Sequence, residues 1–303
     1  MKNIGCLLLA GGVFLAMVLG AVGSSLAADW AEPATGIDFV RVEGGCFQMG
    51  QRASESEGLI REKGSSGAKV FFGDELPLHE VCVEEFYLSR TEITVGQFKS
   101  FIEASSYKTE AEEFGGCQEY EIPRYRWQDK ARLNWRQPGF SQKDEEPVVC
   151  VSWNDAMAMV NWLSGRNSDR VFRLAAEAEW EYAARDRGGD QVFGGGDTLA
   201  EVGWSVMNSP RRTSLVAIKK AGSLGIFDLS GNVWEWVADT YQPAYASNGN
   251  PNEAGATTGP FKVVRGGGWN SYDWNCRVAN RDRVSPSHRD TSLGLRLVMT
   301  VKK

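Results

Sequence analysis

The chain has 303 residues, and its 33 basic and 39 acidic side chains give a formal net charge of −6. An acidic surface without a Lys/Arg cluster excludes nucleic acid and anionic lipid as the main partner, because counterion release needs gathered cations. The length is enough for one large core or two small ones.

Lys2 precedes an apolar run from Ile4 to Val22 and the small residues Ser24 to Ala28, the layout of a signal peptide over residues 1–28. The run could almost span a bilayer. Gly11, Gly12, Gly20 and Gly23 weaken a helix there, and no basic cluster follows, which favours cleavage over a retained anchor. The expected location is therefore periplasmic or secreted, with no membrane contact beyond the export signal. Cleavage removes Lys2, the single charge in that segment, and leaves a net charge of −7. Of six cysteines, Cys6 leaves with the leader. In an oxidising compartment, proximity along the chain pairs Cys46 with Cys82 and Cys117 with Cys150, each closing a loop worth roughly 3 to 4 kcal/mol in the chain-entropy model. Cys276 is left over, and the common fate of a lone cysteine is a buried small hydrophobe.

Residues 37–49 and 79–88 alternate apolar and polar positions and read as two strands, with a long surface excursion from Ser54 to Gly73 between them. Thr94 caps a helix bearing Val95, Phe98, Phe101 and Ile102 on one face. Tyr107 to Glu146 reads as irregular loop and Pro147 to Val151 as a short apolar strand. Ser152 and Asp155 form a capping box for a helix with Ala156, Met159, Val160 and Leu163 on its face, ending at Gly165. A further helix is expected from Ala175 to Arg185, then a turn-rich stretch with strands at Phe261–Val264 and Leu293–Thr300. This pattern predicts an α+β domain, rich in loops and held by tryptophan packing and disulfides.

Three segments go beyond pattern: RLAAEAEWEYAAR at 173–185, GIFDLSGNVWEW at 225–236, and RGGGW at 265–269 with GLRLV at 294–298. With GGCFQMG at 44–50, FYLSRTEITVGQF at 86–98 and PVVCVSWNDA at 147–156, they resemble the formylglycine-generating enzyme, or sulfatase-modifying factor, family. The resemblance covers about residues 37–300 and implies one domain, 37–301, with a loop-rich C-type-lectin-like fold. The family's usual Pro-Thr before the 177–185 helix is Ala175-Ala176 here, which removes an N-cap hydroxyl worth about 1 kcal/mol.

Asp228 and Glu235 are carboxylates that bracket Gly231, where the backbone can bend sharply, and oxygen ligands on a tight loop suit Ca²⁺. The resemblance implies a calcium ion held by the side chains of Asp228 and Glu235 and the carbonyls of Gly231 and Val233. The alternative is that both carboxylates bind loop amides. A second calcium of the family finds only Asn208 as a ligand and is not expected. Catalysis in the family's oxidases implies two cysteines, five residues apart, that hold Cu(I) as a dithiolate. Counted from Arg265-Gly266-Gly267, those positions are Ser271 and Cys276. A hydroxyl stays protonated at neutral pH and cannot replace a thiolate on Cu(I), so the pair is incomplete. With a three-residue gap, NCRVANR matches the non-catalytic branch, where the cysteine position is a packed hydrophobe. The iron-dependent branch is excluded, since His79 and His288 are the only histidines.

Trp274 lies in the segment that forms the family's cleft, which Arg265, Asn270, Arg277 and Arg281 are expected to line. Two functions remain open on the sequence alone. One is a peptide- or protein-modifying oxidoreductase centred on Cys276 and Ser271. The other is a non-catalytic, calcium-stabilised binding module for an envelope protein or glycan.

Overall fold

The computed structural model describes residues 29–52, 73–121, 126–245 and 259–302, with Met1 and Ser54. The expected signal peptide and most of the Ser54–Gly73 excursion lie outside these residues. In chain order the strands are β1 (Trp30–Ala31), β2 (Asp38–Val42), β3 (Gly45–Met49), β4 (His79–Val83), β5 (Phe86–Ser89), β6 (Cys117–Glu121) and β7 (Arg126–Lys130). They continue as β8 (Arg170–Leu174), β9 (Trp234–Thr240), β10 (Lys262–Arg265), β11 (Arg281–Val284), β12 (Leu293–Leu295) and β13 (Leu297–Val301). The helices are α1 (Val95–Ser105), α2 (Glu110–Glu113), α3 (Trp153–Arg166), α4 (Glu177–Ala184) and α5 (Leu199–Val202).

A five-stranded sheet runs β1-β2-β5-β13-β8 and a four-stranded sheet β11-β10-β9-β12, flanked by the two-stranded ribbons β3-β4 and β6-β7. The five-stranded sheet is buried on both faces. Phe39, Leu297 and Met299 join a core with Phe98 and Phe101 of α1 and Met159 and Leu163 of α3. Their neighbours Val40 and Val298 point the other way, into a second core with Trp180 of α4, Phe86 and Leu88. Adjacent residues on a strand face opposite sides, so one chain segment feeds two cores.

Both expected strands are in fact pairs. The first breaks after Val42 and the second after Val83, because at Gly44 the backbones close on each other: a Cβ there would lie 2.6 Å from the Val83 carbonyl oxygen. The break sends β2 and β5 to the large sheet and leaves β3-β4 as a ribbon in which Cys46 stands directly opposite Cys82. Both expected disulfides, Cys46–Cys82 and Cys117–Cys150, are formed. The segment read as loop before Glu146 contains α2 and the β6-β7 hairpin. Residues 147–151 are not a strand; Cys150 takes a positive φ of 61° there. Helix α3 continues through Gly165 to Arg166.

The helix starts follow their local signals. Thr94 and Ser152 each form a capping box, with Gln97 and Asp155. At α4, Ala176 offers no side-chain acceptor for the amides of the first turn, and two carboxylates bind the neighbouring amides instead. Glu179 accepts from the Ala176 amide at 2.8 Å, and Asp239 of β9 accepts from the Glu177 amide at 2.7 Å.

The predicted C-terminal strand is split at Arg296 into β12 and β13, which belong to different sheets. The Arg296 guanidinium binds both oxygens of Glu235 at 2.9–3.0 Å and the carbonyls of Ser89 and Phe227. Both side chains are buried. Removing one member of such a pair strands a charge in the core. Arg296→Met is expected to lower unfolding stability in urea by about 3 to 5 kcal/mol, and Arg296→Met with Glu235→Met to recover much of that loss.

Candidate functional site

The segment 265–281 leaves β10, turns through three glycines and a short 3₁₀ helix at Asp273–Cys276, and returns as β11. Its arginines are not surface groups. Arg265 is completely buried; it pairs with Glu181, donates to the Asn280 carbonyl and lies 5.2 Å from the Trp180 ring. It therefore sits behind the cleft. Arg281 grips Glu177 through two bonds of 2.6 and 2.9 Å and donates to the Asp74 carbonyl. Burial favours the loss of its proton, but Glu177, Tyr245 and Asp74 more than offset that and hold it cationic. Arg277 grips Glu75 through two bonds of 2.6 and 2.9 Å, and Asn280 donates to the same carboxylate.

The sequence singled out the arginines and missed their partners. Glu177 and Glu181 lie one turn apart in EAEWEYAAR and both face inward, a signal that the run of three glutamates in an otherwise apolar helix carried.

A groove of about 590 Å³ opens beside this network. Gly50, Gln51, Arg185, the 188–192 loop and Arg277 to Ala279 line it. Arg185 is fixed there by Glu181 at 2.8 Å and the Gly50 carbonyl at 3.0 Å. Of the residues expected in the cleft, Arg277 lines this groove. Trp274 stacks on the exposed Tyr272 with ring centres 4.4 Å apart and planes 9° from parallel, and Asn270 is partly exposed on the turn before it.

Ser271 and Cys276 occupy this turn and point into protein. The Ser271 hydroxyl accepts from the Gly268 amide at 3.0 Å. Cys276 is a free thiol with no exposed surface, clustered with Phe193, Leu199 and Val202. A Cβ on Gly267 would come within 2.7 Å of its sulfur. Burial, reinforced by Asp273, pushes the thiol well above the ordinary cysteine range, so the neutral form fills the site at neutral pH.

At the 228–235 loop three buried carboxylates gather. Glu92 accepts from the Asn232 side chain at 2.7 Å and the Val233 amide at 3.0 Å. Asp228 accepts from the Ala217 amide through one oxygen, while its Oδ1 is buried without a hydrogen-bond partner. Glu235 is held by Arg296 and by the Trp180 indole at 2.7 Å. Burial raises the pKa of both Glu92 and Asp228, and for Glu92 the neighbouring carboxylates add to the effect. Of these three carboxylates, Asp228 alone has an oxygen without a hydrogen-bond partner that a hard cation could use, whereas any cation at Glu235 shares it with Arg296. Among the described residues no three His, Cys, Asp or Glu side chains are grouped to hold a metal. Loop carbonyls are therefore required to complete a coordination shell.

These features define an α+β, C-type-lectin-like domain in which a glycine-rich turn is locked by buried arginines. The chain belongs to the sulfatase-modifying factor family: the model of the sulfatase-modifying factor enzyme 1-like domain matches residues 27–301. It is 30% identical to a formylglycine-generating enzyme of Streptomyces coelicolor, over 85% of this chain and 87% of that one. It is 31% identical to the inactive C-alpha-formylglycine-generating enzyme 2 of Mus musculus, over 85% and 84%. Among solved structures, PvdO from Pseudomonas aeruginosa superposes with a TM-score of 0.69 at 25% identity, covering 89% of this chain and 97% of that one.

Asp74 closes the network. Its Oδ2 accepts from the Tyr241 hydroxyl at 2.8 Å and its Oδ1 is buried without a partner. Burial pushes the carboxyl up to about 6, against the lowering effects of Tyr241 and Arg281. The folded protein thus holds a proton that the unfolded chain has released, so the Asp74 contribution to stability falls as pH rises from about 4 to about 6. Asp74→Asn removes this dependence: in urea unfolding, the stability of the variant relative to the parent is expected to improve between pH 4.5 and 6.5. A constant difference would contradict the assignment.

Proposed function

We propose that this is a non-oxidising member of the family, exported by its N-terminal segment: a binding domain that keeps the scaffold and takes a protein, peptide or glycan ligand of the cell envelope. The observation that carries this reading is the Cys276 thiol, buried, protonated and packed under Gly267, with a serine at position 271. Oxidase chemistry needs an accessible thiolate pair to hold Cu(I). Cys276 would have to lose its packing and its proton, and Ser271 supplies no thiolate. The reading as a peptide- or protein-modifying oxidoreductase lacks both requirements. The likeness to an inactive relative is in keeping with this.

The groove beside Arg277 and Arg185, with Val192, Val278 and Ala279 in its lining, suits a ligand with both polar and apolar groups. Its floor is made rigid by ion pairs, so little ordering is needed on binding. Calcium enters the proposal as a structural ion: Asp228 and the carbonyls of Gly231 and Val233 would hold it, with Glu235 shared with Arg296. Such an ion would supply the positive charge that Glu92 and Asp228 lack. The two paired disulfides agree with an oxidising compartment.

Two outcomes follow for the purified mature protein. Incubated with Cu(I), O₂ and a cysteine-containing peptide, it is expected to leave the cysteine unchanged by mass spectrometry; stoichiometric aldehyde would overturn the proposal. Calcium at millimolar concentration is expected to raise the Tm relative to a chelated sample, and Asp228→Asn to abolish that rise. An equal Tm with and without calcium would remove the ion from the account.

A further inference from the structure

A second cavity, of about 180 Å³, lies on one face of the four-stranded sheet. Trp234, Val264 and Leu293 form its apolar floor, one residue from each of β9, β10 and β12. Asp282 and Val284 of β11 form one side, and the His288–Asp290 pair another. Trp127 of the β6-β7 hairpin stands at the mouth, 41% exposed, packed against Tyr120 and edge-on to the His288 ring.

The charge of this lining is unbalanced. Asp290 is satisfied internally: Oδ1 accepts from the Ser292 amide and hydroxyl, and Oδ2 bonds His288 at 2.8 Å. Asp282 accepts from the Arg283 amide, but among the described residues it has no salt-bridge partner. The Arg283 and His288 side chains attract Asp282 through space without a hydrogen bond or ion pair to it, and the nearby cations bond elsewhere. Arg283 reaches the Tyr241 hydroxyl, Arg289 binds the carbonyls of Phe114, Gly116 and Ser287, and Lys262 binds the Ala238 carbonyl above the Trp153 ring. Two carboxylates against one imidazole thus share a small cavity with two indoles. Indole faces attract cations, and a desolvated cation beside a carboxylate gains further.

We infer that this cavity is a binding site for a small organic ammonium, with Asp282 as its counter-ion and Trp127 and Trp234 as its aromatic lining. The volume accommodates an alkylammonium or methylated ammonium head and little more. The group is either a free small molecule or the end of a lysine side chain on a partner. The site does not rest on the groove beside Arg277 or on the state of Cys276.

The test is a titration of the full mature protein at constant ionic strength, read by calorimetry and tryptophan fluorescence. The probes are choline chloride, n-butylammonium chloride as the lysine-head mimic, and 3,3-dimethyl-1-butanol as the neutral isostere of choline. Saturable binding of at least one cation is expected, at least tenfold tighter than the neutral isostere and weakened at least tenfold by Asp282→Asn. Trp127→Ala, at a half-exposed position, is expected to weaken it by a similar factor, with the far-UV spectrum checking its fold. Tighter binding of butylammonium points to a lysine side chain, and tighter binding of choline to a methylated small molecule. Absence of saturable binding by both cations, equal binding of the neutral isostere, or an affinity unchanged in Asp282→Asn would overturn the inference.

Discussion

Buried arginine–carboxylate pairs fix the irregular segments of this protein. Arg265, Arg277, Arg281 and Arg296 are each at most 6% exposed, and each is locked to a glutamate from another part of the chain: Glu181, Glu75, Glu177 and Glu235. A loop-rich chain has few ladder hydrogen bonds with which to fix its irregular segments, so they are fixed by side chains. A guanidinium with five donors can bind a carboxylate and several stray carbonyls at once, as Arg296 does with Glu235, Ser89 and Phe227. Pairs of this kind add little net stability over an apolar core, but losing one partner is costly. The network therefore specifies one arrangement of the loops.

The candidate site inherits its character from that network. Glu75 fixes Arg277 from one side and the Trp274 carbonyl from the other, so the 273–277 turn is rigid. Rigidity draws Cys276 into the small cluster with Phe193, Leu199 and Val202, out of reach of solvent. The same fixed side chains leave a shaped groove on the outside. The turn is here a packed element, with the Cys276 sulfur held under Gly267.

Much of the fold was legible because its signals are local. Thr94 with Gln97 and Ser152 with Asp155 mark helix starts within four residues, and the cysteine pairings followed from chain proximity. What was not legible is set by distant partners. Nothing in IDFVRVEGGCFQM shows that its two halves join different sheets, since the break at Gly44 answers the backbone of Val83 and Glu84. The β6-β7 hairpin carries charged and polar residues on both faces, so its alternation is weak. Asp239 caps α4 from 62 residues away, and Glu75 meets Arg277 across 202 residues. The site was half readable for the same reason: the motifs contain Arg265, Glu177 and Glu181, but nothing local pairs them, and Glu75 lies outside every motif.

The most direct test of the central claim, that Cys276 is a packing residue, is the reactivity of its thiol. The purified protein, disulfides intact, would be treated with maleimide in native buffer and again in concentrated guanidinium, and the label mapped by mass spectrometry. We predict that Cys276 stays unmodified in the native protein and labels fully after unfolding. Labelling of Cys276 in native buffer at the rate of an exposed thiol would contradict the claim and return the turn to the list of reactive sites.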